Sequence, residues 1–193
     1  MSSSFWLKPR LLWPAIAVLA VGVWALVAAG QSPYLQYRDW VYVISGFAGI
    51  AALCLFPVQP ILAHEGGING RLGHRWIGAA AFALVLVHVG GLWITSPPDV
   101  IDALLFRSPT PFSVWGVASM IAIFALGVVA ILRRRIAPMV WRRVHMALVV
   151  LIVGGAVLHT VLIIGTMGQV SKYALCAVVL LAAGWGVWRT RLS

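Results

Sequence analysis

The chain has 193 residues, 62% of them hydrophobic and 9% charged, with a mean hydropathy of +1.00 and a formal net charge of +10. That balance excludes an ordinary soluble domain. In so apolar a chain the positive charge reads as membrane topology, and no nucleic acid is expected as a partner.

A membrane-crossing helix needs about 20 apolar residues, and six runs approach that length. The first, Leu11 to Gly30, follows Lys8 and Arg10 and ends near the cleavage-like residues Val27, Ala28 and Ala29. Its apolar stretch of about 18 residues is longer than the usual signal core of about 7–15, so it is read as a retained span. Gln31, Ser32 and Pro33 lead to the second run, Trp40 to Phe56. Pro57 and Pro60, then a glycine-rich stretch from His64 to Gly73, read as the next connection. The third run is His74 to Thr95, and the connection Ser96 to Pro111 separates it from the fourth, Phe112 to Leu132. An arginine-rich loop precedes the fifth, Val144 to Gly165, and Ser171 to Trp188 is the sixth. The chain therefore reads as all-α: a single domain over residues 1–193, an integral membrane bundle of six transmembrane helices in contact with lipid.

The basic residues orient it. With both termini cytoplasmic, the inner segments hold Lys8, Arg10, Arg71, Arg75, Arg133, Arg134, Arg135, Arg142, Arg143, Arg189 and Arg191, while Arg38, Arg107 and Lys172 fall outside. This bias fits the positive-inside rule and predicts a multi-pass plasma-membrane protein, in the inner membrane if the source is bacterial. Trp6, Trp13, Trp40, Trp76, Trp93, Trp141 and Trp188 lie near run ends and read as interface anchors. Cys54 and Cys176 lack metal-ligand spacing and the haem-attachment arrangement, so they read as packing residues.

Four of the five histidines form two pairs of equal spacing, His74 with His88 on the third helix and His145 with His159 on the fifth. Fourteen residues advance a helix by about 1400°, about 40° short of four turns, and raise it by about 21 Å, so each pair lies on one face. One span intervenes between these helices, which makes them parallel. His74 then matches His145 in depth, and His88 matches His159. Imidazole at membrane depth is costly without a partner, and two facing imidazoles suit a six-coordinate haem iron. The sequence predicts two non-covalent b-type haems between helices three and five: an inner one on His74 and His145, an outer one on His88 and His159. Gly78, Ala81 and Val85, with Val149, Ile152 and Ala156, occupy the faces between the ligands. Arg75 beside His74, and Arg142 and Arg143 within a turn of His145, are candidate propionate contacts for the inner haem. The arginines of residues 133–143 also form a cluster that would steer an acidic donor or contact anionic lipid. His64, beside Glu65 in the glycine-rich stretch, reads as a solvated loop residue. Zinc or copper is disfavoured, since neither His-bearing run carries an acidic residue and two ligands per level fall short of a zinc site.

The segment LGHRWIG at residues 72–78 followed by His88, and WRRVH at residues 141–145 followed by His159, resemble the ferric reductase-like transmembrane domain superfamily. That superfamily includes ferric reductases, NADPH oxidases and the haem-binding membrane subunit of methionine sulfoxide reductase systems. The resemblance implies the same ligand assignment. It also implies a flavin and nicotinamide module that this chain does not carry before Ser193, so no flavin is expected on it. The entrance histidine His74 sets it nearer the oxidase and ferric reductase branch than the sulfoxide reductase subunit.

The function expected is transmembrane electron transfer by a di-haem cytochrome, the membrane component of an oxidoreductase. The donor would be a separate flavoprotein reductase or quinol on the cytoplasmic side. The acceptor outside would be ferric iron, dioxygen or a periplasmic or extracellular redox partner. Two alternatives stay open: a quinol-oxidising cytochrome b subunit of a respiratory complex, and a haem-free transporter or scaffold. The latter usually needs an acidic residue or lysine deep in a span, and no Asp, Glu or Lys lies deep in any run.

Overall fold

A computed structural model describes residues 9–65, 67–165 and 167–192, without the side chains of residues 9–12 and 191–192. Trp6 and Lys8, and the side chains of Arg10 and Arg191, therefore lie outside the described residues. Among those described there is no strand. The helices are α1 (Pro9–Gly30), α2 (Trp40–Leu55), α3 (Val58–Glu65), α4 (Gly67–Thr95), α5 (Pro97–Leu104), α6 (Pro111–Ile131), α7 (Pro138–Leu162) and α8 (Gln169–Leu192). Six segments are long and apolar enough to cross a membrane: most of α1, α2 continued by α3, α4, α6 continued to Arg135, α7 and α8.

Turn chemistry starts these elements. The Asp39 side chain accepts from the Val41 amide at 2.7 Å and opens α2. Pro97, Pro111 and Pro138 each stand at the start of a helix, where the missing amide costs nothing. The prolines read as punctuation are thus mostly helix starters.

One boundary differs from the sequence reading. The glycine-rich stretch is not a loop: α3 continues the second span to Glu65, and α4 begins at Gly67, seven residues before His74. The cause is close packing. A Cβ on Gly70 would meet the Leu62 carbonyl at 2.7 Å, and one on Gly73 would meet the Leu62 side chain at 3.3 Å. The glycines let α3 and α4 fold back on one another, as small residues do between membrane helices. Among the described glycines, only Gly67, at φ +67°, has the left-handed backbone of a turn. The connection before α6 also differs, because it holds the short helix α5.

The most extensive helix pairs are α2 with α4 and α6 with α7, and α8 packs on α1, α3 and α7. The two pairs share a local design. Ser45 Oγ on α2 donates to the His88 carbonyl on α4, three residues before Gly91, whose added Cβ would lie 2.7 Å from Ser45 Cβ. Ser119 Oγ on α6 donates to the Ile152 carbonyl on α7 at 2.9 Å, three residues before Gly155, whose added Cβ would lie 3.0 Å from Ser119 Cβ. Each hydroxyl satisfies itself within the bilayer while the glycine lets the backbones approach. By contrast α4 and α7, the histidine-bearing helices, share no extensive backbone contact. A gap is left between them.

A buried cluster of Ala25, Ala29, Ile50, Leu53, Val153, Val157, Leu175, Cys176 and Val179 joins α1, α2, α7 and α8. Both cysteines pack, as expected: Cys176 is buried there, and Cys54 lies against Gly22 of α1. Many large apolar side chains, including Trp13, Trp40, Trp76, Ile131, Leu181 and Trp188, stay exposed on the outside. Lipid would cover such a surface.

Candidate functional site

The gap between α4 and α7 is bridged at two levels by imidazole rings. His74 faces His145 with ring centres 6.2 Å apart, and His88 faces His159 at 6.4 Å. The structure thus brings the four spaced histidines together in the two cross-helix pairs expected from their fourteen-residue spacing, and the helices are parallel.

Hydrogen bonds orient the rings. His88 Nδ1 donates to the Ser45 carbonyl at 2.8 Å, and His159 Nδ1 donates to the Phe112 carbonyl at 2.9 Å. A carbonyl only accepts, so Nδ1 carries the proton and the Nε2 lone pair remains for a metal. His74 Nδ1 approaches the Gln59 carbonyl at 3.2 Å. His145 Nδ1 is buried without a partner, its ring 5.2 Å from that of Trp141.

Two glycines make room for these rings. A Cβ on Gly49 of α2 would come within 2.8 Å of His88 Nδ1, and one on Gly116 of α6 within 2.6 Å of His159 Nδ1. In each case the glycine lies four residues, about one turn, after the residue whose carbonyl holds the ring. Gly49, Gly116, Ser45, Phe112 and Gln59 were not read from the sequence. The signal was there in the stripe Ser45, Gly46, Ala48 and Gly49, although such stripes also serve plain helix packing.

At the His88 and His159 level the gap widens into a cavity of about 550 Å³. Val85 and Ala156 line it, as expected for walls between the ligands, and Gly49 and Gly116 form part of its sides. Its polar lining includes Ser96, Asp99, Ser108, Thr160 and Lys172, and α5 contributes Val100, Ala103 and Leu104. Between the two histidine levels lies an apolar layer of Phe82, Val85, Ala122, Ile123, Phe124, Leu148 and Ile152. Phe82 and Phe124 pack with ring centres 5.4 Å apart. Gly78 packs against Gln59 of α3, whose carbonyl also meets His74.

One sequence reading is corrected, and two others gain detail. His64 is half-buried in α3, not solvated in a loop; its Nδ1 donates to the Pro60 carbonyl at 2.8 Å and its ring lies 5.0 Å from Trp185. The extra helical turns of α3, packed on α8, put it there. Lys172, counted with the outer connections, is 3% exposed, so a lysine does lie inside the protein. Of the propionate candidates, Arg75, Arg142 and Arg143 are exposed, and Arg142 donates to the Thr190 carbonyl near the end of α8.

A metal about 2.0–2.1 Å from one nitrogen of each of two imidazoles holds the ring centres about 6.3 Å apart when the rings lie on opposite sides. Both observed separations agree. No three His, Cys, Asp or Glu side chains gather into a metal site among the described residues. Each pair offers two neutral nitrogens, a donor set that suits the axial positions of haem better than a zinc site. The chain matches the ferric reductase-like transmembrane component over residues 48–156. It belongs to that family. As a member with six apolar spans it is a multi-pass membrane protein, and membership suggests transmembrane electron transfer. The family match includes His74, His88 and His145 and stops three residues before His159, whose pairing rests on the geometry. No curated protein and no solved structure matches the chain.

Proposed function

We propose that this protein is a di-haem cytochrome that carries electrons across the membrane between a donor on the arginine-rich side and an acceptor on the other. His74 and His145 would hold one b-type haem, and His88 and His159 the second. The carrying observation is the pair of ring separations, 6.2 and 6.4 Å, across a gap that backbone packing leaves open. When bound, haem supplies an iron that exchanges one electron between ferric and ferrous states, and two histidines leave it no vacant site for oxygen.

The chain's own residues do the rest. Ser45 and Phe112 carbonyls fix the tautomer and plane of two ligands and make them better donors. Phe82, Phe124, Leu148 and Ile152 exclude water between the levels. The exposed arginines Arg75, Arg134, Arg135 and Arg143 make a basic face suited to an acidic reductase. Purified protein is expected to yield two haems per chain by pyridine haemochrome analysis, both extractable with acidic acetone and low-spin in the visible spectrum. A haem-free preparation from haem-replete cells would refute this reading.

The direction of transfer follows from topology, with both termini and the arginine loop cytoplasmic. A cysteine at Ser108, in the connection between α5 and α6, should react with an impermeant maleimide from outside intact cells. Reaction only after the cytoplasm is opened would reverse the direction.

A further inference from the structure

Lys172 is the one buried cation among the described residues, and nothing above uses it. It lies in the first turn of α8, the end where a helix dipole disfavours positive charge. It is held there by the end of the preceding helix. Nζ donates to the carbonyls of Val161 at 3.3 Å and Ile163 at 2.9 Å, which α7 leaves open where it stops at Leu162. These carbonyls follow His159 by two and four residues, and Lys172 and His159 line one cavity.

Two carbonyls leave one of its three protons and all of its charge unanswered. No carboxylate among the described residues pairs with it. Asp99 lines the same cavity, but its carboxylate accepts from Ser96 Oγ at 2.5 Å instead. The Tyr173 ring, 5.3 Å away, offers only a weak cation–π contact. A buried ammonium without an anion is costly, and in membrane proteins such a group marks a binding function. It also lines the 550 Å³ cavity that His88 and His159 line. Lys172 lies outside the family match.

We propose that Lys172 is a carboxylate-binding residue in the cavity wall, taken by a propionate of the haem seated between His88 and His159. The proposal rests on the di-haem reading. A charge-assisted hydrogen bond is the strong kind. Its loss should make that haem leave roughly ten times faster. Removing the cation should also lower the potential of that haem, because a nearby positive charge favours the less positive ferrous form.

The test uses full-length protein made in haem-starved cells and loaded with haem b or with its dimethyl ester, which has no carboxylates. Haem loss to apomyoglobin and the potential of each haem are followed in wild type, Lys172→Met and Lys172→Arg. The expected result is faster loss and a lower potential for one haem only in Lys172→Met, with partial rescue in Lys172→Arg. Wild type loaded with the ester should behave like Lys172→Met, and the ester should add nothing in that variant. The other haem reports that the variant has folded. If the ester behaves normally but acetate shifts the potential in wild type and not in Lys172→Met, the carboxylate comes from a soluble ligand and the propionate assignment is overturned. If neither probe separates the two proteins, Lys172 is only a helix cap. Protein that takes up no haem at all refutes the di-haem reading instead.

Discussion

Alanine at His159 is expected to leave one haem per chain where the unaltered protein binds two, and alanine at His88 should do the same. Alanine at His74 or His145 should remove the other haem and spare the first. The effect is all or nothing because each level offers two imidazoles and no third ligand within reach among the described residues. The two levels should also behave independently, being separated by about 21 Å of helix rise and an apolar layer. Haem per protein and low-spin electron paramagnetic resonance signals measure this. Two haems in His159→Ala would break the ligand assignment, and two in every single variant would remove the site altogether. His159 is the informative case, since it lies beyond the family match and stands on geometry alone.

The second large effect needs only one methyl group. Gly116→Ala would place a Cβ 2.6 Å from His159 Nδ1, and Gly49→Ala one 2.8 Å from His88 Nδ1. Neither ring can move without losing its bond to Phe112 or Ser45. Overpacking of this kind costs about 1–3 kcal/mol. If it falls on the bound form, haem at that level is retained roughly 5- to 150-fold less well. Gly154→Ala is the control: it lies on the same helix as His159, with nothing within 4 Å of its new Cβ. It should bind haem normally. Full occupancy of the His88 and His159 level in Gly116→Ala, measured by haem transfer to apomyoglobin, would show that the ring has slack and that the glycine serves only helix packing.

The large features were legible because they depend on periodicity and length. Six apolar runs are visible in any hydropathy reading, and the fourteen-residue repeat of His74 with His88 and His145 with His159 survives conversion into helix geometry without knowledge of the fold. What escaped depends on which helix lies next to which. Nothing local to Gly116 says that it lies under His159, forty-three residues away, and Gly67 to Gly73 look like a loop until Leu62 is seen packed against them. The burial of Lys172 escaped for the same reason. It begins an apolar run, where a lysine usually reaches water, but the end of α7 supplies carbonyls that hold it inside. Charge counting assigned the arginines to one side, yet sequence could not tell that Arg142 turns to the end of α8 or that Arg133 lies over Trp141.

The apolar layer between the two histidine levels has an electrical consequence. Phe82, Val85, Ala122, Ile123, Phe124, Leu148 and Ile152 offer no hydroxyl, acid or imidazole along which a proton hops, and the lone Ser119 hydroxyl beside them is tied to the Ile152 carbonyl. An electron crossing the protein would therefore travel unaccompanied, and its full charge would move through the membrane field. That displacement is worth about 2.3 kcal/mol for each 100 mV. Turnover would then depolarise or polarise the membrane according to its direction, proton release and uptake would be confined to opposite compartments, and the resting voltage would act as a throttle on the rate.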